Sequence, residues 1–396
     1  NFLLSYSPMS PIPMPTTTPV RVAIVGGGLT GAAVGRALRR ALPAESVVVW
    51  EGLAQLGGRM MTERMTVLGG ATGLADSGAQ YVTVTDDADV AEAHKPLYDS
   101  LAAAGVLVPM RGRIEGGRAA DGGGTNYVAP QGVASIVERI FSMSSLSPCC
   151  SRRATALRHV AARGEEARSR WELTSADGRC EQFDGVVVAC PIPDILALID
   201  TGEGGAWLDG ASGVGRADLT GVQYSSRYAL TLFYPASAAA VFAAHIDWAA
   251  RYVSKADDDA IVYLAHDSAK RGGEDGGAVS LVVHTSVPYG IRALKAAEPE
   301  ESVLADLRAR VGKLLPWLPE PESLVLRPWR VSQVRYPVAL PGGAACLPLR
   351  PAAGGRAAPA LVLAGDAFSP LGSRFDGCVQ SGESAAAAVL AALVGM

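Results

Sequence analysis

Residues 22–40 set the tightest limit on what this chain can become. Val22-Ala23-Ile24-Val25 is a short, continuous apolar run that ends in Gly26-Gly27-Gly28. Such a run reads as a strand buried on both faces of a parallel sheet. A helical stretch follows from Ala32 to Arg40, and Val47-Val48-Val49-Trp50 is a second buried run. Strand, helix and strand in about 30 residues make a βαβ unit of nucleotide-binding size. The turn inside it reads Gly26-x-Gly28-x-x-Gly31. The first glycine permits the tight turn, the second lets the backbone approach a pyrophosphate, and the third lets helix pack on strand. The helix N-terminus then offers unpaired N–H groups to the phosphates. Glu51 closes the second strand, where an acid can hold ribose hydroxyls. A glycine turn serving only packing is the competing reading. The preceding strand, the following helix and the acid together favour a dinucleotide site.

Composition narrows the field further. With 396 residues, 49% hydrophobic and 19% charged, the chain can bury a large core and suggests two or three domains. A net charge of −4 speaks against a nucleic-acid partner. Six cysteines show no CxxC pair and no metal spacing with histidine. They read as reduced thiols in an intracellular, cytoplasmic protein with no metal site. An organellar address stays open, because the chain does not begin with Met and a targeting segment can precede it. No stretch reads as a membrane span. Tyr228 to Ala244 contains Pro235 and is expected to be a buried strand followed by a helix. The apolar tail Ala385–Met396 is about half the length a span requires.

The expected fold class is α/β, with an α+β second domain. Val186-Val187-Val188-Ala189 and Leu361-Val362-Leu363-Ala364 are further buried strands, so sheet strands occur at both ends and in the middle. That distribution predicts interleaving. Residues 1–19 form a disordered leader. Residues 20–81, 151–194 and 336–396 build a Rossmann-type dinucleotide domain, and 82–150 with 195–335 build a substrate domain on a mixed sheet. Gly116–Gly124 and Pro341–Pro359 read as surface loops.

Two more strings suit a dinucleotide. Leu56-Gly57-Gly58-Arg59-Met60 offers backbone N–H groups and a guanidinium matched to a pyrophosphate. Gly365-Asp366, after a strand, suits a ligand rich in hydroxyls. Both resemble fingerprints of the FAD-binding amine oxidase superfamily. Asp376-Gly377-Cys378 opens the last helix, whose N-terminus could stabilise charge on a reduced flavin ring. Plain N-capping by Asp376 is equally open. Cys378 invites a covalent-flavin reading, but a small residue at a helix start is the simpler one. A single glycine fingerprint argues against a separate NAD(P)H domain.

Longer strings sharpen the resemblance. They are Asp76-Ser-Gly-Ala-Gln80-Tyr81-Val-Thr, Asn126-Tyr-Val-Ala-Pro130-Gln131-Gly132, Tyr224-Ser-Ser-Arg227-Tyr228-Ala-Leu, Val283-His284-Thr-Ser-Val-Pro288-Tyr-Gly, Trp329-Arg330-Val-Ser-Gln333-Val and Phe375-Asp376-Gly377-Cys378. In this order, from about Val20 to the end, the chain resembles the renalase family of the FAD-dependent amine oxidase-like superfamily. The resemblance implies an amine-oxidase-like fold and non-covalent FAD, with Thr30, Arg59, Gln80 and Tyr81 touching it. It also implies a small dinucleotide substrate: the 2- and 6-dihydro isomers of NAD(P)H, oxidised to NAD(P)+, with molecular oxygen reduced to hydrogen peroxide. No membrane or nucleic-acid partner is expected. A monoamine or polyamine oxidase on the same fold is the alternative enzyme, and a non-catalytic flavin-binding regulator is the alternative from another class.

The candidate pocket residues are Tyr224, Arg227 and His284. Tyr224 and Tyr228 are expected on one strand face, where they either stack on a ring or sit in the core. His284 lies in an apolar strand and reads either as a satisfied core histidine or as a pocket residue. Trp329 and Gln333 are further pocket candidates. The motif strings contain no lysine, a point against an amine oxidase, although Lys255, Lys270 and Lys295 lie in the same substrate region.

Overall fold

The computed structural model describes residues 19–394 apart from 117–124, 163–167, 210–212, 273–276 and 352–357. The expected leader, most of the 116–124 loop and the middle of the 341–359 loop lie outside the described residues.

A five-stranded sheet carries the glycine turn. Its order is Leu347–Leu349, Ala360–Leu363, Gly185–Val188, Val22–Val25, Val47–Trp50. The last four strands run parallel, with Val25 beside both Val188 and Trp50, and Val188 beside Leu363. Leu347–Leu349 joins antiparallel. Every residue of Val22–Val25, Gly185–Val188 and Ala360–Leu363 is buried, which is why these strands are continuously apolar rather than alternating. One apolar layer contains Ile24 and Val187 with helices Leu29–Leu38, Ala134–Met143 and Phe375–Val394. The opposite layer contains Val25 and Val188 with Trp171, Leu173 and Phe183 of a three-stranded antiparallel sheet, together with helix Ile192–Ile199.

The apolar tail is thus the second half of a 20-residue helix, long and apolar enough by composition to cross a membrane. Val379, Ala385, Ala386 and Val389 on that helix are buried in the core instead.

The second sheet has six strands in the order Ser323–Trp329, Arg227–Tyr234, Val279–Thr285, Ile261–His266, Trp248–Tyr252, Arg113–Glu115. Its neighbours are antiparallel except for the last pair. One face packs on helices Val287–Lys295 and Glu300–Leu314 through Leu230, Leu281, Val283, Val303 and Leu307. Against the other face lies the hairpin Thr62–Thr66/Thr72–Asp76. Its Ala75 joins Phe233, Tyr263 and Val282 in one small core. This hairpin delivers Asp76 through Tyr81 to the end of strand Val279–Thr285 that holds His284.

Candidate active site

The two glycine turns lie against each other. Gly57 N–H donates to Gly27 O at 3.0 Å, and Gly28 and Gly57 form an isolated bridge. Glu51, 7% exposed, fastens them by accepting from Gly27 N–H and Leu53 N–H, each at 2.7 Å. Two of the three fingerprint glycines are required by the chain itself. Gly26 has φ +116°. A Cβ on Gly31 would stand 1.9 Å from Gly26 O. Gly28 differs: at φ −85° its Cβ would meet nothing nearer than Gly57 O at 3.7 Å. The helix it opens, Leu29–Leu38, has no side-chain cap and no acid in its first turn, and Thr30 lies in that turn. A bare helix N-terminus beneath an open glycine fits an anionic dinucleotide. Gly58 has φ +58°, and Met60 is buried beside it.

Arg59 and Asp366 were expected to hold separate parts of a ligand, and the structure joins them. The guanidinium donates to both carboxylate oxygens at 2.6 and 2.8 Å, and to Ser332 O at 3.3 Å. Burial opposes the Arg59 charge, but Asp366 overrides it and holds the group well above its ordinary value. Burial likewise opposes the Asp366 charge, and Arg59 with Ser373 holds the carboxyl below its ordinary value.

Tyr224 stands at this end of the site. It precedes the strand that starts at Arg227, forms an isolated bridge with Val334, and its hydroxyl accepts from Ile192 N–H at 3.1 Å. Burial, with Asp366 nearby, pushes its phenol up to about 12. Tyr228 is 2% exposed in the helix-facing core. The expected shared face of Tyr224 and Tyr228 therefore does not form, because the strand begins too late to include Tyr224.

Asp376 does not cap the last helix. It lies inside the first turn rather than at the cap, and its carboxylate accepts from Thr85 N–H (3.1 Å) and Tyr98 Oη (3.1 Å) and pairs with His94 Nδ1 (2.7 Å). It anchors helix Ala88–Ala103 to the last helix. Gly377 is small because a Cβ there would stand 2.3 Å from Gly372 O. Cys378 is hydrogen-bonded to Thr30, and burial pushes its thiol up to about 12. It is therefore protonated and a poor nucleophile.

A second cluster of side chains gathers around His284. Gln80 Nε2 lies 3.4 Å from His284 Nε2, and the Tyr263 ring is 5.7 Å from the imidazole, centre to centre. Tyr252 packs on Tyr263 at 5.2 Å, and its hydroxyl meets Tyr81 Oη at 2.8 Å. Burial, then the charges of Arg227 and Lys270, press the His284 imidazole down to about 3, so it is neutral at physiological pH. Arg227 donates to Thr285 O at 3.4 Å and, among the described residues, has no carboxylate partner. Burial lowers its pKa from the ordinary value. Trp329 Nε1 donates to Ser77 O at 2.9 Å, which places the indole beside the Ser77–Tyr81 segment. Gln333 contributes backbone pairing with Ser225.

Sequence reasoning named Lys270 only as one of three lysines in the substrate region and did not place it in the site. Its side chain is fully buried, and Nζ donates to Gln80 O (2.9 Å) and Gln80 Oε1 (3.2 Å) and pairs with Asp267. A lysine thus does reach the site although the motif strings lack one. The only signal available was its place in Ala-His-Asp-Ser-Ala-Lys-Arg, a charged cluster following an apolar strand.

Known proteins resemble this chain in sequence and in fold. Residues 259–390 match the family of flavin containing amine oxidoreductases, and residues 24–101 match the NAD(P)-binding Rossmann-like domain. Renalase of Mus musculus is 32% identical over 91% of this chain and 96% of its own. Among solved structures, putrescine oxidase bound to putrescine superposes with a TM-score of 0.61 at 13% identity, over 94% of this chain and 99% of that one. Cyclohexylamine oxidase from Brevibacterium oxydans gives 0.56 at 15% identity, over 95% and 100%. At such identities the two structures share the fold alone.

Proposed function

The chain belongs to the renalase family of FAD-dependent flavin amine oxidoreductases, and from that premise we propose that it oxidises the 2- and 6-dihydro isomers of NAD(P)H to NAD(P)+. Bound FAD would supply the hydride acceptor, and the overall reaction would consume one proton and one O2 for each NAD(P)+ and hydrogen peroxide formed.

One observation carries the choice of substrate. The ring end of the site pairs a neutral imidazole, His284, with a guanidinium, Arg227, that no described carboxylate neutralises. An uncompensated cation repels a protonated amine and attracts the phosphates of a dinucleotide. Removing hydride from a dihydropyridine needs no protein base, so a neutral, buried histidine and a lysine engaged by carboxylates are no handicap. What the residues must do is orient the ring and exclude water. The Tyr81, Tyr252 and Tyr263 cluster provides apolar walls for that.

The test is anaerobic mixing of the yellow holoprotein with each dihydro isomer and with a panel of amines, followed by flavin absorbance. Rapid bleaching by the isomers supports the proposal. Bleaching by an amine with none by the isomers overturns it in favour of an amine oxidase, and no bleaching by any reductant favours a flavin-binding regulator.

A further inference from the structure

We propose that Lys270 is a positioning residue: by holding the Gln80 carboxamide in one orientation it fixes His284 as the tautomer protonated on Nδ1, with the Nε2 lone pair left bare.

Donor and acceptor counting leads to this assignment. The Lys270 ammonium has three hydrogens and no acceptor. Two are taken by Gln80 O and Gln80 Oε1, and the ammonium is ion-paired with the Asp267 carboxylate. Gln80 Oε1 therefore faces a donor, and the amide cannot flip without setting N–H against N–H. The other half of the amide agrees independently. Gln80 Nε2 donates to Asp76 O and to Gly78 O, the latter at 3.1 Å, so both of its hydrogens are directed at carbonyls. His284 Nε2 lies 3.4 Å from that amide nitrogen, which can donate but not accept. A proton on His284 Nε2 would point at a donor. The imidazole proton therefore sits on Nδ1.

Lys270 can do this because it is itself locked. It lies in a fully buried group with Asp267, Asp76 (3.5 Å) and Arg271, which also reaches Asp76 at 3.2 Å. Two cations balance two carboxylates, so the group holds no net charge. Asp76 is tied in turn by Thr62 Oγ1 and Val133 N–H, each at 2.9 Å, and its own N–H donates to Asp267 at 3.0 Å. Helix Asp267–Lys270 and the hairpin end at Asp76 thus form one rigid support under Gln80.

The inference rests on reading this pocket as the ring-binding end of the flavin site, but its main test needs no substrate. The chain has five histidines, so 15N-labelled histidine in the holoprotein, read by long-range 1H–15N correlation, can report each tautomer once a His284→Gln spectrum assigns His284. The expected wild-type result is a neutral ring protonated on Nδ1. In Gln80→Glu, a carboxylate oxygen faces Nε2 and the proton should appear there. In the charge-balanced pair Lys270→Gln with Asp267→Asn, the amide is released and the two tautomers should mix, while flavin reduction slows roughly tenfold to a hundredfold through misorientation. A wild-type ring protonated on Nε2, or doubly protonated at neutral pH, overturns the assignment even if no variant folds. A tautomer unmoved by either folded variant overturns the role of Lys270. Failure here leaves the substrate proposal standing, and failure of the substrate assay leaves this one standing.

Discussion

Arg59 and Asp366 lie 307 residues apart in sequence and meet through two hydrogen bonds of 2.6 and 2.8 Å. The pair clasps the second glycine turn to the end of the last parallel strand. Asp366 is 1% exposed, whereas the Arg59 side chain keeps 29% of its surface. The aspartate therefore depends on the arginine more than the reverse.

Arg59→Ala should act on both stability and cofactor retention. It strands a buried carboxylate with only Ser373 as a side-chain partner, a loss of about 3 kcal/mol at the low end for broken buried pairs, because water reaches Arg59. FAD affinity should fall by roughly one to two decades if the guanidinium also faces the pyrophosphate. Urea melts of the apoprotein and FAD titration separate the two effects. In Arg59→Gln with Asp366→Asn, stability should return while FAD affinity stays low. Recovery of both would make the pair purely structural.

Two glycines of one motif should behave oppositely. Gly31→Ala forces a Cβ to 1.9 Å from Gly26 O and should prevent folding. Gly28→Ala meets nothing nearer than 3.7 Å at an ordinary φ, so the apoprotein should melt within about 0.5 kcal/mol of wild type. FAD binding should nevertheless fall by at least about tenfold, because the methyl stands where a pyrophosphate must approach. Tight FAD binding by Gly28→Ala would move the dinucleotide away from this turn.

Acid sensitivity should begin well above the carboxylate range. Burial holds His266 at about 4 and His284 at about 3, against about 6.5 in an unfolded chain. Below pH 6.5 the unfolded state binds more protons than the folded one, so stability is complete above that pH and declines as pH falls toward 4. The slope is at most about 1.4 kcal/mol per pH unit for each histidine, less for partial exposure. Urea midpoints of the apoprotein between pH 7.5 and 4.5 measure it, above the window in which Asp366 titrates. His266→Gln should flatten the curve, and an unchanged slope in that variant would remove His266 from the account.

What the sequence revealed and what it hid follow one physical line. Val22–Val25, the glycine turn and Glu51 are legible because a strand, a turn and a helix N-terminus are made by neighbours in sequence. Gly185–Val188 and Ala360–Leu363 are legible because burial on both faces leaves a continuous apolar run. Asp376 misled because its partners, His94 and Tyr98, are 282 and 278 residues away, and capping is the local guess for an acid at a helix start. Tyr224 misled because the register is set by its cross-strand neighbour Val334, not by its own alternation. Lys270 was hidden because a buried lysine looks like any surface lysine until Asp76, nearly two hundred residues earlier, is brought within 3.5 Å.

The proposed substrate should be distinguished by reaction rather than by binding. The 2-, 4- and 6-dihydro forms of NAD(P)H carry the same phosphates and riboses, so the same contacts, Arg227 among them, are available to all three. The ring end is rigid, with Gln80 fixed by Lys270 and Tyr252 packed edge-to-face on Tyr263. A rigid pocket sets one ring carbon at reacting distance, and a hydride carried on another carbon is out of line. The ordinary 4-dihydro form should therefore bind within about tenfold of the isomers yet bleach the flavin at least about a hundredfold more slowly. It should act as a competitive inhibitor of isomer oxidation. Stopped-flow reduction at several isomer concentrations, with and without the 4-dihydro form, tests this directly. A raised apparent half-saturation with an unchanged limiting rate is the expected pattern. Rapid bleaching by the 4-dihydro form would show that the pocket does not select the carbon, and its failure to compete would show that the dinucleotide binds elsewhere.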